Sequence, residues 1–315
     1  MNGKRFLAAL LNLGVIAAFA WAVEHYWGWT RLLAPWRQMP LAVLALALCG
    51  MLASYAIRAL RIYIAEADIP RGAYLRCLRL ILLNNSINLL LPARSGEASF
   101  PLLLKRWFGI DLARGAGTLL WLRLLDLHVL ATVGAACAAA GWTLHTQTAA
   151  RIVWLLAGLA AVAPLVLFAL HGRLARAFAG RPGKVAAIAQ RALGGIPNRA
   201  SGLLRDLLLT WTSWAVKLTA LGGVLAQLAG LPPLDGVLGA IGGDLSTVLP
   251  VHAPGGFGTY EAGVIALLAP ATEPSGALLA AAVNLHLLLL TTALLAGAAA
   301  WLAGLLGASS THPAR

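Results

Sequence analysis

Long apolar runs alternate with short basic or Pro/Gly-rich breaks along the whole of this chain. Six runs, Phe6–Val23, Leu41–Ile62, Ala116–Gly141, Ile152–Leu170, Leu207–Leu228 and Ala277–Leu306, are long enough to be helices that cross a bilayer, which takes roughly 20 apolar residues. Two further apolar stretches, Tyr74–Leu91 and Leu234–Val251, are shorter and end in breaks. The first runs into Leu91-Pro92-Ala93-Arg94-Ser95-Gly96-Glu97 and resumes as Pro101–Trp107. The second runs through Leu249-Pro250-Val251-His252-Ala253-Pro254-Gly255-Gly256-Phe257-Gly258-Thr259-Tyr260-Glu261 and resumes as Ala262–Leu268. Proline removes an amide donor and stops a helix, while glycine permits turns that other residues resist. Irregular backbone at membrane depth is tolerated only where protein or a wet cavity covers it. Paired interrupted segments in the two halves of a chain point to a substrate site between them. The pattern therefore predicts an all-α polytopic membrane protein with about six full crossings and two broken, re-entrant hairpins in an inverted repeat. Eight complete crossings are the alternative.

Composition agrees with lipid as the solvent. Of 315 residues, 60% are hydrophobic and only 11% charged, where a water-soluble domain carries about 25% charged residues. Gly and Ala are abundant while alternating strands are not apparent, so a transmembrane barrel is disfavoured. The first run exceeds the length of a signal-peptide core and is followed by more spans, so it reads as an uncleaved helix. The three cysteines lie apart in apolar surroundings, which fits small buried hydrophobes rather than disulfides or a metal site.

The net charge of +13 falls mostly between the apolar runs, where it sets topology and attracts anionic headgroups rather than nucleic acid. Lys4 and Arg5, the arginines from Arg58 to Arg79, Lys105, Arg106 and Arg114, and seven cations in the loop His171–Arg205 form one set of basic segments. Trp142–Ala150 and Pro232–Asp235 are nearly free of positive charge. This pattern places both termini in the cytoplasm if the first broken stretch dips in from that side and the second from the opposite face. The expected organisation is one transmembrane domain over 1–315. Its half-repeats are about 1–141 and 152–306, with the basic loop 171–205 inside the second half.

Ionisable residues inside apolar runs are the candidate chemistry, because a charge at the bilayer centre costs roughly 2.5–3.5 kcal/mol on insertion scales. Arg123 and Asp126 stand three apart on one helix and can pair. Lys217 is mid-run, too deep to snorkel easily, and Glu97, Asp244 and Glu261 are its candidate partners. Arg94, inside the first break, can fork a phosphate. His252 lies in the second break and is a residue type that titrates near neutral pH. His286, in the last run beside Asn284, fits a satisfied packing histidine. Asn84, Asn85 and Asn88 suit capping or interhelical hydrogen bonds. No metal-protease, P-loop or nucleophile-elbow motif is present.

Asn88-Leu89-Leu90-Leu91-Pro92-Ala93-Arg94-Ser95-Gly96-Glu97, Arg123-Leu124-Leu125-Asp126, and Leu249-Pro250 with Pro254-Gly255-Gly256-Phe257-Gly258 and Glu261 together resemble the flippase-like transmembrane domain of lysylphosphatidylglycerol synthases and their stand-alone relatives. The resemblance covers nearly the whole chain in the same order. It implies a lipid-translocating or lipid-binding role. In the two-domain synthases this region is credited with flipping aminoacylated phosphatidylglycerol, and relatives without the synthase domain are linked to phospholipid, hopanoid or polyprenyl-linked sugar pathways. This sequence ends at Arg315 without an aminoacyl-transfer domain, so synthase activity is not expected. Phe100 and Pro101 stand where the family often has another arginine.

The expectation is therefore an inner-membrane lipid flippase or binder, without cofactor or metal. Arg94, Arg123, Lys217 and His252 would meet an anionic headgroup. Glu97, Asp126, Asp244 and Glu261 would balance those cations or carry a coupling proton, and the breaks at Asn88, Pro92, Gly96, Pro250, Pro254, Gly255, Gly256 and Gly258 would shape the site. The rival readings are a membrane enzyme acting on a lipid phosphate and a non-catalytic partner of a lipid-biosynthesis enzyme.

Overall fold

A computed structural model describes residues 14, 17–18, 20–26, 28–91, 96–141, 147–247, 254–269 and 275–309. Among these, all regular structure is helical. After a short turn, Trp29–Leu32, and a 3-10 segment, Ala34–Gln38, come α1 (Leu41–Ala65), α2 (Tyr74–Leu90), α3 (Ser99–Phe108), α4 (Leu112–Gly141) and α5 (Gln147–Phe178). Then follow α6 (Lys184–Leu193), α7 (Ala200–Ala229), α8 (Pro233–Ser246), α9 (Thr259–Leu268) and α10 (Gly276–Ser309). Stretches of α1, α4, α5, α7 and α10 are long and apolar enough to cross a membrane. They match five of the six runs read from the sequence. The sixth, Phe6–Val23, lies mostly outside the described residues.

The basic segment 171–205 differs from the loop expected of it. Its start is the last turns of α5, its middle is α6 and its end is the beginning of α7. Ala, Arg, Lys and Gln are strong helix formers, and α6 keeps Ala186 buried against the bundle while Val185 and Ile188 face outward. Pro164 sits inside α5, as membrane helices tolerate. Around it α5 exposes Leu155, Leu156, Leu159, Leu165 and Val166, the surface expected of a helix that faces lipid.

The centre of the bundle is the antiparallel pair α1 and α7. Gly50 faces Ala220, Ser54 Oγ lies 3.0 Å from Ser213 Oγ, Arg61 donates to Thr210 and Arg205 reaches the carbonyl of Ile64. Numbers rise on one helix as they fall on the other. Both broken segments fold back in the same manner. In the first, Arg76 lies over the Phe108 ring and Arg79 over Trp107, Ser99 donates to Asn84, and Gly96 abuts Asn88. In the second, Gly239 faces Leu268, Gly242 faces Gly263 and Gly243 faces the Tyr260 ring. Each is thus a helical hairpin that returns to the side it started from. The 14 residues of α8 rise only about 21 Å, short of the roughly 30 Å of hydrocarbon.

The hairpins enter from opposite ends. α2 starts just after the end of α1, whereas α8 starts just after the end of α7, which lies beside the start of α1. Their tips meet in the middle, where α2 packs against the turn at 254–256. Two apolar clusters flank this meeting point. One joins α1, α4, α7, α8, α9 and α10 around Met51, Leu221, Ile241 and Tyr260. The other joins α1, α2, α3 and α4 around Ile62, Leu80, Phe100 and Trp121.

Gly242 and Gly263 let α8 and α9 touch backbone to backbone, for a Cβ on either would collide with the carbonyl oxygen of the other. Gly263→Leu is expected to destabilise the protein by about 1–3 kcal/mol or more, read as a lower thermal unfolding midpoint in detergent. Gly158→Leu, at a position with open space around it, is the control and should change the midpoint little.

Candidate functional site

The hairpin tips and the spanning helices enclose a chamber of about 140 Å³, far above the roughly 10–15 Å³ that one water needs. The first hairpin contributes Asn85, Asn88 and Glu97, and the second contributes Asp244, Thr247, Gly255, Gly256 and Tyr260. Tyr55 and Arg58 come from α1, Arg123 from α4, Lys217 from α7 and His286 from α10. Sequence distance is erased here because the described ends of the two hairpins, 85–97 and 244–260, come together on one chamber.

Glycine conformations make the second turn possible. Gly255, Gly256 and Gly258 have φ of 65°, 81° and 81°, values that residues with a Cβ resist. Glu261 then closes the turn. Its Oε2 accepts from the Gly258 amide at 2.8 Å, satisfying an open donor at the start of α9.

A chain of paired charges runs beside the chamber. Lys217 Nζ donates to Asp244 Oδ1 at 2.7 Å, with both side chains buried, so Asp244 is the partner among the three carboxylates weighed from sequence. Asp126 accepts from Trp214 Nε1 at 2.9 Å and lies 3.3 Å from Arg61 Nη1 and 3.5 Å from Arg123 Nη1. The pairing of Arg123 with Asp126 is present, but Asp126 chiefly serves Arg61, which is 4% exposed. Arg123 Nε sits 3.0 Å from Glu97 Oε1. That contact is an ion pair whose N–H is not aligned as a hydrogen bond. Trp214 holds two cations against its ring, Arg58 at 4.9 Å and Lys217 at 4.8 Å from the centroid.

Glu261 takes a different place from the one expected of it as a balance for Lys217. Its Oε1 is 2.7 Å from His286 Nδ1, and the imidazole stacks on Tyr260 with centroids 4.5 Å apart. His286 is accordingly the partner of a carboxylate at the chamber wall, not simply a packing residue. Asn84 accepts from Ser99, binding the two arms of the first hairpin. Arg94, Pro92, Pro250 and His252 lie outside the described residues, and only the backbone of Pro254 is described. Among the described residues, no group of three His, Cys, Asp or Glu side chains is placed to hold a metal ion.

Two functional candidates escaped the sequence reading. Arg58 and Arg61 were grouped with the basic segment that follows them, yet both belong to α1. The signal was present: two arginines three apart inside an apolar run, the same signature that marked Arg123 and Asp126. Arg61 goes to Asp126 and Thr210. Arg58 points into the chamber, and among the described residues it has no carboxylate within 4 Å. Its Nε is buried without a hydrogen-bond partner.

The arginine-rich end of the bundle carries its own satisfied cluster. Arg114 pairs with Glu66 at 2.8 Å and Asp68 at 2.6 Å, and Thr118 donates to Glu66. Arg205 pairs with Asp206, which also accepts from Trp121. These contacts tie α1, α4 and α7 together and leave no open cation among them.

Comparison with curated proteins and with solved structures finds no match. A family model described as the lysylphosphatidylglycerol synthase TM region matches residues 9–297, a stretch that includes both hairpins, the arginine-rich end and every charged pair around the chamber. The chain is a polytopic helical membrane protein and belongs to the lysylphosphatidylglycerol synthase TM region family.

Proposed function

We propose that the chamber receives the phosphate headgroup of a membrane lipid, and that the protein carries or binds this lipid while its acyl or prenyl tail stays in the bilayer. The observation that carries the reading is Arg58, a guanidinium on the chamber wall with a buried, unpartnered Nε and, among the described residues, no carboxylate beside it. A buried guanidinium N–H without a hydrogen-bond acceptor is costly. A phosphate is an anion whose oxygens an arginine fork matches bidentately. Arg123, paired with Glu97, is poised to turn toward the same anion, and Lys217, on the same Trp214 ring as Arg58, adds positive potential while bound to Asp244. Arg94 at the first tip is a further headgroup contact on this reading, as is His252 at the second.

The two hairpins are the moving parts in this proposal, and half-repeats of about 1–141 and 152–306 rock against each other around the site, as in inverted-repeat transporters. The arginine-rich end faces the cytoplasm of a bacterial-type inner membrane by the positive-inside rule.

Reconstituted liposomes holding a fluorescent phosphatidylglycerol test the proposal. The protein should expose inner-leaflet label to an external quencher, and Arg58→Gln with Arg123→Gln should slow that movement at least tenfold. Movement no faster than in protein-free liposomes, for this lipid and for a polyprenyl phosphate, would sink the reading.

A further inference from the structure

The ion pairs around the chamber leave one base open. Lys217 and Asp244 neutralise each other at 2.7 Å, Glu97 answers Arg123, and Asp126 is held by Arg61, Arg123 and Trp214. His286 differs. Its Nδ1 is engaged with Glu261 at 2.7 Å, and among the described residues its Nε2 has no hydrogen-bond partner, although the residue lines the chamber. With Glu261 ionised, Nδ1 donates to the carboxylate, so Nε2 carries a lone pair and is free to accept a proton.

The surroundings hold this arrangement in place. Glu261 is fixed by the Gly258 amide, and the imidazole is held between Tyr260 at 4.5 Å and Phe257 at 5.2 Å. Other titratable groups on the chamber are Tyr55 and Arg58 of α1, Glu97 before α3, Arg123 of α4, Lys217 of α7, Asp244 of α8 and Tyr260 of α9. Behind that lining, Arg61 pairs with Asp126 and Glu261 with His286. A phosphodiester oxygen only accepts hydrogen bonds, and with His286 neutral Nε2 only accepts as well, so an entering headgroup and Nε2 can meet only through an added proton.

We infer that the Glu261–His286 pair is the proton site of the chamber and takes up one proton when a singly charged phosphodiester headgroup enters. The inference rests on the headgroup reading above. A hydronium proton from the bulk solvent bonds to Nε2 as its O–H bond breaks and releases water, and the pair goes from one negative charge to none. When the headgroup leaves, the proton leaves from the same nitrogen. Lipid and proton then travel together without net charge.

Calorimetric titration of the detergent-purified protein with dihexanoylphosphatidylglycerol, in buffers of differing ionisation enthalpy, counts the protons bound with each lipid. Uptake of about one proton per lipid is expected at alkaline pH, falling to none at acid pH. His286→Gln, whose amide can still donate to Glu261, should bind lipid with the uptake lost. If that variant does not fold, the pH series on the unaltered protein decides alone. Lipid binding with no proton uptake at any pH overturns the inference and leaves the headgroup reading standing. Unchanged uptake in a folded His286→Gln protein also overturns it, and absence of lipid binding overturns both.

Discussion

Replacing Arg58 by glutamine should weaken binding of a short-chain anionic phospholipid by roughly ten- to a hundredfold while leaving the protein folded. A hydrogen bond to a charged group contributes about 1.5–3 kcal/mol, and each 1.4 kcal/mol is a factor of ten. Folding should tolerate the change because, among the described residues, Arg58 makes no ion pair, and the Trp214 ring it lies over keeps Lys217 against it. Arg58→Lys keeps the charge but not the planar fork and should fall between. Arg199, exposed at the arginine-rich end, provides the control, and Arg199→Gln should bind as the unaltered protein does. Titration calorimetry in detergent measures all four proteins. Equal affinity for Arg58→Gln and the unaltered protein would remove Arg58 from the site.

Asp126→Ala should be among the most destabilising single substitutions, by about 3–5 kcal/mol, because it leaves Arg61 buried without its carboxylate. Arg61 is 4% exposed and would keep only the hydroxyl of Thr210. The Trp214 indole would lose its acceptor at the same moment. Removing both members of a buried pair is far milder than removing one. Arg61→Met combined with Asp126→Leu should therefore recover most of the stability, although Arg123 would then rest on Glu97 alone. Thermal unfolding in detergent reads both outcomes. A double variant less stable than Asp126→Ala would show that Arg61 is held by something other than this carboxylate.

These two predictions separate the roles of two arginines that stand three residues apart on one helix. Arg61 is paired with Asp126 and structural, whereas Arg58 lines the chamber. Nothing in the sequence between them distinguishes the two. One helical turn brings Arg61 level with Asp126 and Thr210 and leaves Arg58 level with the chamber.

Much of the fold was legible along the chain because lipid imposes a strict rule on it. Each crossing must be a continuous apolar helix, so the runs at 41–62, 116–141, 152–170, 207–228 and 277–306 announced α1, α4, α5, α7 and α10. The breaks at Pro92–Gly96 and Leu249–Gly258 announced two hairpins, since proline and glycine act locally on the backbone. The charges of the segment 171–205 mask its helix-forming residues, so it reads as a loop from sequence, whereas the structure gives it α6.

What the sequence by itself determined was therefore the solvent, the number and place of most crossings and the two interruptions. Those follow from composition and local backbone chemistry, which act over a few residues. Only the tertiary structure decided which charges are spent on one another and which are left over. It sent Lys217 to Asp244, Arg61 to Asp126 and Glu261 to His286, and left Arg58 facing the chamber. Partner choice depends on how the α1–α7 pair and the two hairpins register against each other. A shift of one residue rotates a side chain by about 100° around its helix, and contacts that far apart in the chain leave no local trace.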